Sequence, residues 1–151
     1  MGDYMQCISN RLKAIACING NGTTSSVKGT VKFFQKSNCV LVVADINCLP
    51  HTDTDFFGFH IHEGSSCSGA DFSGSKGHYN PSDTAHPRHA GDMPPLMLCG
   101  SMAHLSFVTN RFKVSDIIGR TVVIHDMPDD FTSQPSGNSG KKIACGIIKR
   151  L

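Results

Sequence analysis

Short runs in which apolar residues alternate with polar or smaller ones are the strongest structural signal in this sequence. A period of two over roughly five to eight residues is typical of β-strands whose alternate side chains enter a core. The runs cover residues 12–18, 27–33, 40–46, 57–61, 105–108, 121–124 and 143–148. Gly, Asn, Ser and Asp cluster between them and predict turns. Helical periodicity is scarce, and only residues 114–118 suggest a short helix.

Two stretches fit neither a strand nor a tight turn. Residues 63–95 are rich in Gly, Ser, His, Asp and Pro, and residues 126–142 are rich in Asp, Ser, Pro and Gly. Loops of this length inside a compact domain are commonly functional. A chain of 151 residues is expected to form a single domain, here residues 1–151. We therefore predict an all-β fold, a sandwich or a barrel, with two long functional loops.

The composition excludes several functional classes. Lys plus Arg is 14 and Asp plus Glu is 12, so the net charge of +2 argues against binding to nucleic acid. The longest apolar run, residues 40–44, is far shorter than the roughly 18 residues that suggest a membrane span. Residues 1–22 lack the apolar core of a signal peptide. We expect a cytoplasmic protein from the sequence as given, or a periplasmic or extracellular one if a leader has been removed.

Histidines are concentrated in one part of the chain. Five of the eight lie between residues 60 and 92. His60 and His62 are two apart in a predicted strand, so both imidazoles face one side and can converge on a metal ion. The alternative is a pair of surface histidines on a solvated strand face.

Further candidate ligands follow in the first loop and after a later strand. Three imidazoles and a carboxylate, from His78, His86, His89 and Asp92, suit tetrahedral zinc, although loop histidines are often merely solvated. His125 ends an apolar strand run, where a histidine is commonly structural, but that strand can bring it to His60 and His62. Seven positions suffice for two metal ions if one imidazole is shared, and imidazole suits both copper and zinc.

Cysteine usage indicates no disulfide framework. The count is seven, an odd number, and no Cys-x-x-Cys pair occurs. Five cysteines lie in apolar or turn contexts and are predicted to be small buried hydrophobic residues: Cys7, Cys17, Cys39, Cys48 and Cys99.

Several ordered motifs resemble those of the copper–zinc superoxide dismutase family. They are Gly-Phe-His-Ile-His-Glu at 58–63, Gly-His-Tyr-Asn-Pro at 77–81, His-Ala-Gly-Asp at 89–92, Ile-Gly-Arg-Thr at 118–121, Gly-Asn-Ser-Gly at 137–140 and Ala-Cys-Gly at 144–146. The resemblance extends from residue 27 to the C-terminus and implies a Greek-key β-sandwich or flattened barrel. The stretch 131–135 lacks charged residues, which is more similar to bacterial members of the family.

The resemblance also implies roles for individual residues. Copper would be held by His60, His62, His78 and His125. His78 would be shared with zinc, whose other ligands would be His86, His89 and Asp92. Asp129 would accept hydrogen bonds from one ligand of each metal, His60 and His86, although a turn residue is its alternative reading. Cys67 and Cys145 would form a disulfide.

The implied activity is disproportionation of superoxide, the substrate anion, to oxygen and hydrogen peroxide, with copper and zinc as cofactors. His78 would be catalytic by taking up a proton when copper is reduced. Lys142 stands where the family usually has arginine, and we expect it to attract superoxide but to orient it less well, since lysine lacks a planar fork of donors. The alternative for Lys142 is an ordinary solvated lysine. Arg88, in the compact 86–89 segment, is a second candidate source of positive potential.

Two other functions compete with catalysis. The first is a non-catalytic metal-binding β-sandwich of the same family, either zinc-structural or copper-carrying. The second is an interaction module in which the histidines are incidental, which the ordered motifs disfavour. The sequence does not define the oligomeric state, and a homodimer is one option.

Overall fold

A computed structural model describes residues 12–151, and strands account for most of the ordered secondary structure. The strands are β1 (Leu12–Gly20), β2 (Lys28–Gln35), β3 (Val40–Asn47), β4 (Phe56–Phe57), β5 (Phe59–His62), β6 (Leu96–Met97), β7 (Met102–Thr109), β8 (Thr121–His125) and β9 (Lys142–Arg150). One short helix, α1 (Val114–Ile117), precedes β8. No helix of the described residues combines the length and the apolar character that crossing a bilayer requires.

Seven strands form one antiparallel sheet in the order β5-β8-β9-β1-β2-β3-β7, and β4 pairs with β6 in a separate ribbon. The large sheet curls into a half-barrel. Long connections place strands distant in sequence side by side, such as β3 with β7 and β1 with β9. The all-β, Greek-key prediction is confirmed.

The core follows from the period-two pattern that predicted the strands. In β3, Val40, Val42, Ala44 and Ile46 are all buried, and the intervening side chains are partly exposed. Register aligns Phe33 of β2 with Val42, so both large side chains enter the same core. Strand β8, between β5 and β9 in the sheet, is buried throughout, which the apolar run at 121–124 predicts.

Most predicted runs differ from the strands by one or two residues at their ends, and the larger differences are at three places. The run at 57–61 is divided at Gly58 into β4 and β5, β7 begins at Met102 rather than at 105, and the ribbon strand β6 has no counterpart among the predicted runs. The first long loop occupies residues 63–95 as predicted, whereas the second ends at 141 because Lys142 begins β9.

Of the two predictions about the cysteines, the disulfide is confirmed and the burial of the free cysteines is wrong. Cys67 and Cys145 form a disulfide that ties the first loop to β9, as the family resemblance implied. The prediction of small buried residues is wrong for Cys17, Cys48 and Cys99, which are exposed, and Cys39 is only partly buried. Cys17 lies on the outward face of β1, between the buried Ala16 and Ile18, and the other two exposed thiols occupy turns beyond strand ends. Cys7 lies outside the described residues.

Candidate metal centre

The edge strand β5 places His60 and His62 inside the protein. All four of its residues are buried, because β8 covers one edge and the first loop covers the other. The loop pairs with β5 through two backbone hydrogen bonds, from the Ile61 amide to the Gly91 carbonyl (2.8 Å) and from the Tyr79 amide to the Ile61 carbonyl (2.9 Å). This pairing sets His78 opposite His62 and Asp92 opposite His60.

The resulting clusters contain all seven positions that the sequence identified as candidate ligands. His60, His62, His78 and His125 form one group, and His78, His86, His89 and Asp92 form the other. Within each group one ligand atom per residue lies within 4.8 Å of the others, and every member is buried. His78 belongs to both groups, so its imidazole lies between them.

Hydrogen bonds fix which ring nitrogen two histidines of the first group present. His62 Nδ1 donates to the Lys76 carbonyl (2.8 Å) and His125 Nδ1 donates to the Gly140 carbonyl (3.4 Å). Both Nε2 atoms are then lone-pair acceptors, yet they lie only 3.2 Å apart. Two lone pairs directed at one point are a suitable arrangement for a cation.

Buried nitrogens without hydrogen bonds identify the remaining ligand atoms. They are His60 Nδ1, His78 Nε2 and His86 Nδ1. Buried polar atoms are nearly always satisfied, so three unpaired nitrogens beside the clusters fit metal coordination. The first group then offers four imidazole nitrogens, which suit copper, and the second offers three imidazoles and one carboxylate, which suit tetrahedral zinc.

The second group is organised around the carboxylate of Asp92. One oxygen lies 2.8 Å from His78 Nδ1, and the other lies 3.1 Å from His86 Nδ1, at an angle that makes no hydrogen bond. That second oxygen also accepts from the backbone amide of His89 (3.0 Å), and His89 Nδ1 is 3.3 Å from His78 Nδ1. Three ring nitrogens and a carboxylate oxygen therefore face one point.

Burial keeps four of the candidate ligand rings uncharged, as metal ligands must be. Burial lowers the pKa of His60, His62 and His89, and the neighbouring His125 lowers that of His62 further. Burial also lowers the pKa of His125 to about 3, well under its usual 6.5. At neutral pH these four imidazoles present free lone pairs.

Asp129, in the second loop, connects the two groups. One carboxylate oxygen accepts from His60 Nε2 and the other from His86 Nε2, each at 2.8 Å. Burial acts to raise the pKa of Asp129, but hydrogen bonds from His60, the Phe131 amide and His86 outweigh it and lower that pKa to about 2. The carboxylate is thus ionised and holds each ring with Nδ1 directed at its cluster.

Lys142 is held against the first loop. Its ammonium group donates to Ser75 Oγ (2.8 Å), the Lys76 carbonyl (2.8 Å) and the Phe72 carbonyl (3.4 Å). Burial lowers the pKa of Lys142, while Asp71 acts to raise it. Its positive charge reaches the first ligand group, because it contributes to the lowered pKa of His125. The other candidate cation, Arg88, is exposed.

Lys76 is a residue that the sequence analysis missed. Its carbonyl accepts from both His62 Nδ1 and Lys142 Nζ, which couples a candidate copper ligand to the cation. Its backbone has φ +60° and ψ −146°, a conformation that strains any residue with a Cβ. A lysine in a glycine-rich segment gives no sequence signal for this role.

Three further residues shape the second group. Gln134 and Arg111 belong to no motif, whereas Gly137 begins the Gly-Asn-Ser-Gly motif at 137–140, which by itself assigned it no role. Gln134 binds both the amide (2.9 Å) and the carbonyl (2.7 Å) of His86, and Arg111 donates to the carbonyls of Pro87 (2.8 Å) and His89 (3.2 Å). Gly137 has φ +71°, and a Cβ there would overlap the Asp129 carboxylate. These contacts join segments far apart in sequence, so spacing alone could not predict them.

Comparisons with known proteins agree with this geometry. The family model for copper/zinc superoxide dismutase matches residues 27–148. Superoxide dismutase [Cu-Zn] 1 of Aquifex aeolicus is 36% identical over 136 residues, which cover 80% of this chain and 79% of that protein. The superoxide dismutase [Cu-Zn] of Deinococcus radiodurans is 31% identical over 85% of this chain and 80% of its own length. The copper chaperone for superoxide dismutase of Rattus norvegicus is 32% identical over 95% of this chain, but over only 55% of its own length.

Proposed function

Because this chain belongs to the copper–zinc superoxide dismutase family, whose cofactors are copper and zinc, we propose that it is itself a superoxide dismutase. Two superoxide anions and two protons would give one oxygen and one hydrogen peroxide. The observation that carries the proposal is the shared imidazole: His78 Nε2 is buried without a hydrogen bond in one ligand group, while Nδ1 faces Asp92 in the other.

His78 can handle the proton that the reaction needs. When bound, copper supplies one-electron redox chemistry, and zinc, which is redox-inactive, keeps His78 in place. His78 Nε2 is the nitrogen that can alternate between ligating and holding a proton, since Nδ1 is committed to the second group. The proton would pass from Nε2 to the reduced oxygen species as peroxide forms.

The remaining ligands keep their orientation through that cycle. The Lys76 and Gly140 carbonyls hold the protons of His62 and His125 on Nδ1, and Asp129 holds those of His60 and His86 on Nε2. Each ring therefore keeps its free nitrogen directed inward without reorganisation, and electrostatic arrangements fixed in advance favour catalysis.

Lys142 would contribute attraction rather than orientation. All three of its ammonium donors are directed at acceptors of the first loop, so no donor remains to position an oxygen anion. Its charge can still concentrate anions near the centre at low ionic strength. We therefore propose that Lys142 acts on the rate of encounter.

A copper-carrying role is the second candidate, because the chaperone match covers nearly the whole chain. One experiment separates the two functions: the protein is loaded with copper and zinc, its metal content is determined, and superoxide decay is measured by pulse radiolysis. One copper and one zinc per chain with cyanide-sensitive, catalytic decay supports the dismutase, and His125→Ala should remove most activity. Full metal loading without catalytic decay would exclude the dismutase and favour the carrier.

A further inference from the structure

Sulfur-containing side chains gather around the start of β7, at one end of the sheet. Met97 of β6 and Met102 of β7 are 57% and 49% exposed, so both thioethers are accessible to a metal ion. Cys99 lies between them and is also exposed, and Cys48, which directly follows β3, is a second exposed thiol at this end. None of the four belongs to either ligand group of the metal centre.

The backbone sets Cys99 and Met102 side by side. Their amides and carbonyls exchange two hydrogen bonds, of 2.8 and 3.2 Å, across the turn formed by Gly100 and Ser101. Such a pair has Cα atoms about 5.5 Å apart and both side chains on the same face. A thiol and a thioether are therefore adjacent on a hairpin. Met97 is two residues before Cys99, and the partly buried Leu98 between them packs against the core, so Met97 and Cys99 both face outward.

A histidine on the same face provides a nitrogen donor. His104 is two residues after Met102 in β7, and its side chain is 60% exposed. Its Nδ1 donates to Asp45 Oδ1 at 2.7 Å, since Asp45 is its cross-strand partner in β3. This leaves Nε2 as the free nitrogen, and a carboxylate that orients a histidine in this way is typical of metal ligands.

We propose that Cys99, Met102 and His104, with Met97 as a further donor, bind one Cu(I) ion at a second site. Thiolate and thioether are soft ligands that select Cu(I). The usual zinc ligands are thiolate, imidazole and carboxylate, so the methionine donors favour Cu(I) over Zn²⁺. The donors require no buried space, because they project from an exposed hairpin. The proposal is independent of the dismutase function, since it shares no residue with the metal centre.

The test counts copper bound in addition to the metal centre. The copper- and zinc-loaded protein is reduced with ascorbate, dialysed without oxygen against Cu(I) buffered by bathocuproine disulfonate, and its copper per chain is measured. The expected result is one more copper per chain in the wild-type protein than in Cys99→Ser. Methyl-labelled methionines observed by NMR should report Cu(I) at Met102 through a shift absent from Met102→Leu.

Matched variants distinguish a Cu(I) site formed by several donors from Cu(I) binding to a single exposed thiol. Met102→Leu and His104→Ala should each weaken Cu(I) binding at least tenfold, whereas Cys17→Ser, which removes an exposed thiol on β1, should leave it unchanged. The proposal is wrong if Cys99→Ser retains the additional copper, if Met102→Leu binds Cu(I) as tightly as the wild type, or if Zn²⁺ displaces the ion. Dismutase activity in Cys99→Ser should equal that of the wild type, because the two sites are separate.

Discussion

Asp129→Asn should disrupt the hydrogen bonds that orient one histidine in each of the two ligand groups. The carboxylate accepts three hydrogen bonds: His60 Nε2 on one oxygen, and His86 Nε2 with the Phe131 amide on the other. An asparagine amide retains one acceptor and presents an N–H₂ group on its other side. Whichever way the amide is oriented, one histidine faces a donor, loses its acceptor and shifts its proton to the nitrogen that faces the cluster.

The size of the effect follows from that lost hydrogen bond. Removing a partner that orients a metal-bound histidine typically lowers metal affinity about 10- to 100-fold. This range corresponds to roughly 1.4–2.7 kcal/mol, and a hydrogen bond to a charged group contributes about 1.5–3 kcal/mol. Because the amide can retain only one of the two rings, we expect one metal to lose most of that affinity and the other to lose less.

Competition against chromophoric chelators measures both affinities in one preparation. Asp130→Asn is the matched control: Asp130 is the adjacent carboxylate, is bonded to Thr132 and Ser133, and contacts neither histidine. If Asp129→Asn binds copper and zinc as tightly as the wild type, the hydrogen bonds of Asp129 do not orient the ligands, and the reasoning fails.

Four further perturbations test the surroundings of the centre. Lys142→Arg should raise kcat/KM severalfold at low salt, because arginine has five donors and can keep the loop contacts while orienting the anion; equal pulse-radiolysis rates would contradict this. Lys76→Gly should raise the free energy of unfolding by about 1 kcal/mol by relieving φ +60°, which urea titration measures. Gly137→Ala should lower zinc affinity, since the new Cβ displaces the Asp129 carboxylate. The metal-free protein should lose stability as the pH falls from 7 towards 3. His125 has a pKa of about 3 in the folded protein, so between pH 6.5 and pH 3 the unfolded chain binds a proton there that the folded protein does not. Each histidine with a pKa lowered in this way reduces the free energy of unfolding by up to about 1.4 kcal/mol per pH unit. Stability that is constant between pH 7 and pH 5 would refute this assignment.

The strands and the grouping of the candidate ligands were predictable because each has a local signal. The alternation of apolar with polar or smaller residues is visible over a few positions and predicts the strands. His60 and His62 share a face because the strand period is two. The short strand β6 was missed, since its two residues are too few for a pattern. The exposed cysteines were misjudged for a related reason. Residue type indicates burial on average, but Cys48 lies just beyond β3 and Cys99 flanks the turn at Gly100 and Ser101, where neighbouring apolar residues do not define an inward face.

Other parts of the centre depend on contacts that no spacing encodes. The clamp of Gln134 on His86 spans 48 residues, and Lys142 reaches Lys76 across 66. Both contacts use backbone carbonyls or amides, which every residue carries. Residue identity therefore gives no indication of which carbonyl will orient a ligand, and only the folded loops determine it.

The first loop is joined to β9 by a disulfide and by the hydrogen bonds of Lys142. Both links hold the part of the loop that contacts the candidate copper ligand His62. Cys145 bonds covalently to Cys67, while Lys142, three residues earlier in β9, bonds to the loop at Phe72, Ser75 and Lys76. The Lys76 carbonyl also holds the proton of His62. If the disulfide is reduced, the lysine contacts still hold this part of the loop, but three hydrogen bonds from one flexible side chain constrain it less than a covalent bond does. The orientation of His62 therefore depends on both links, because the Lys76 carbonyl that accepts from His62 also accepts from Lys142.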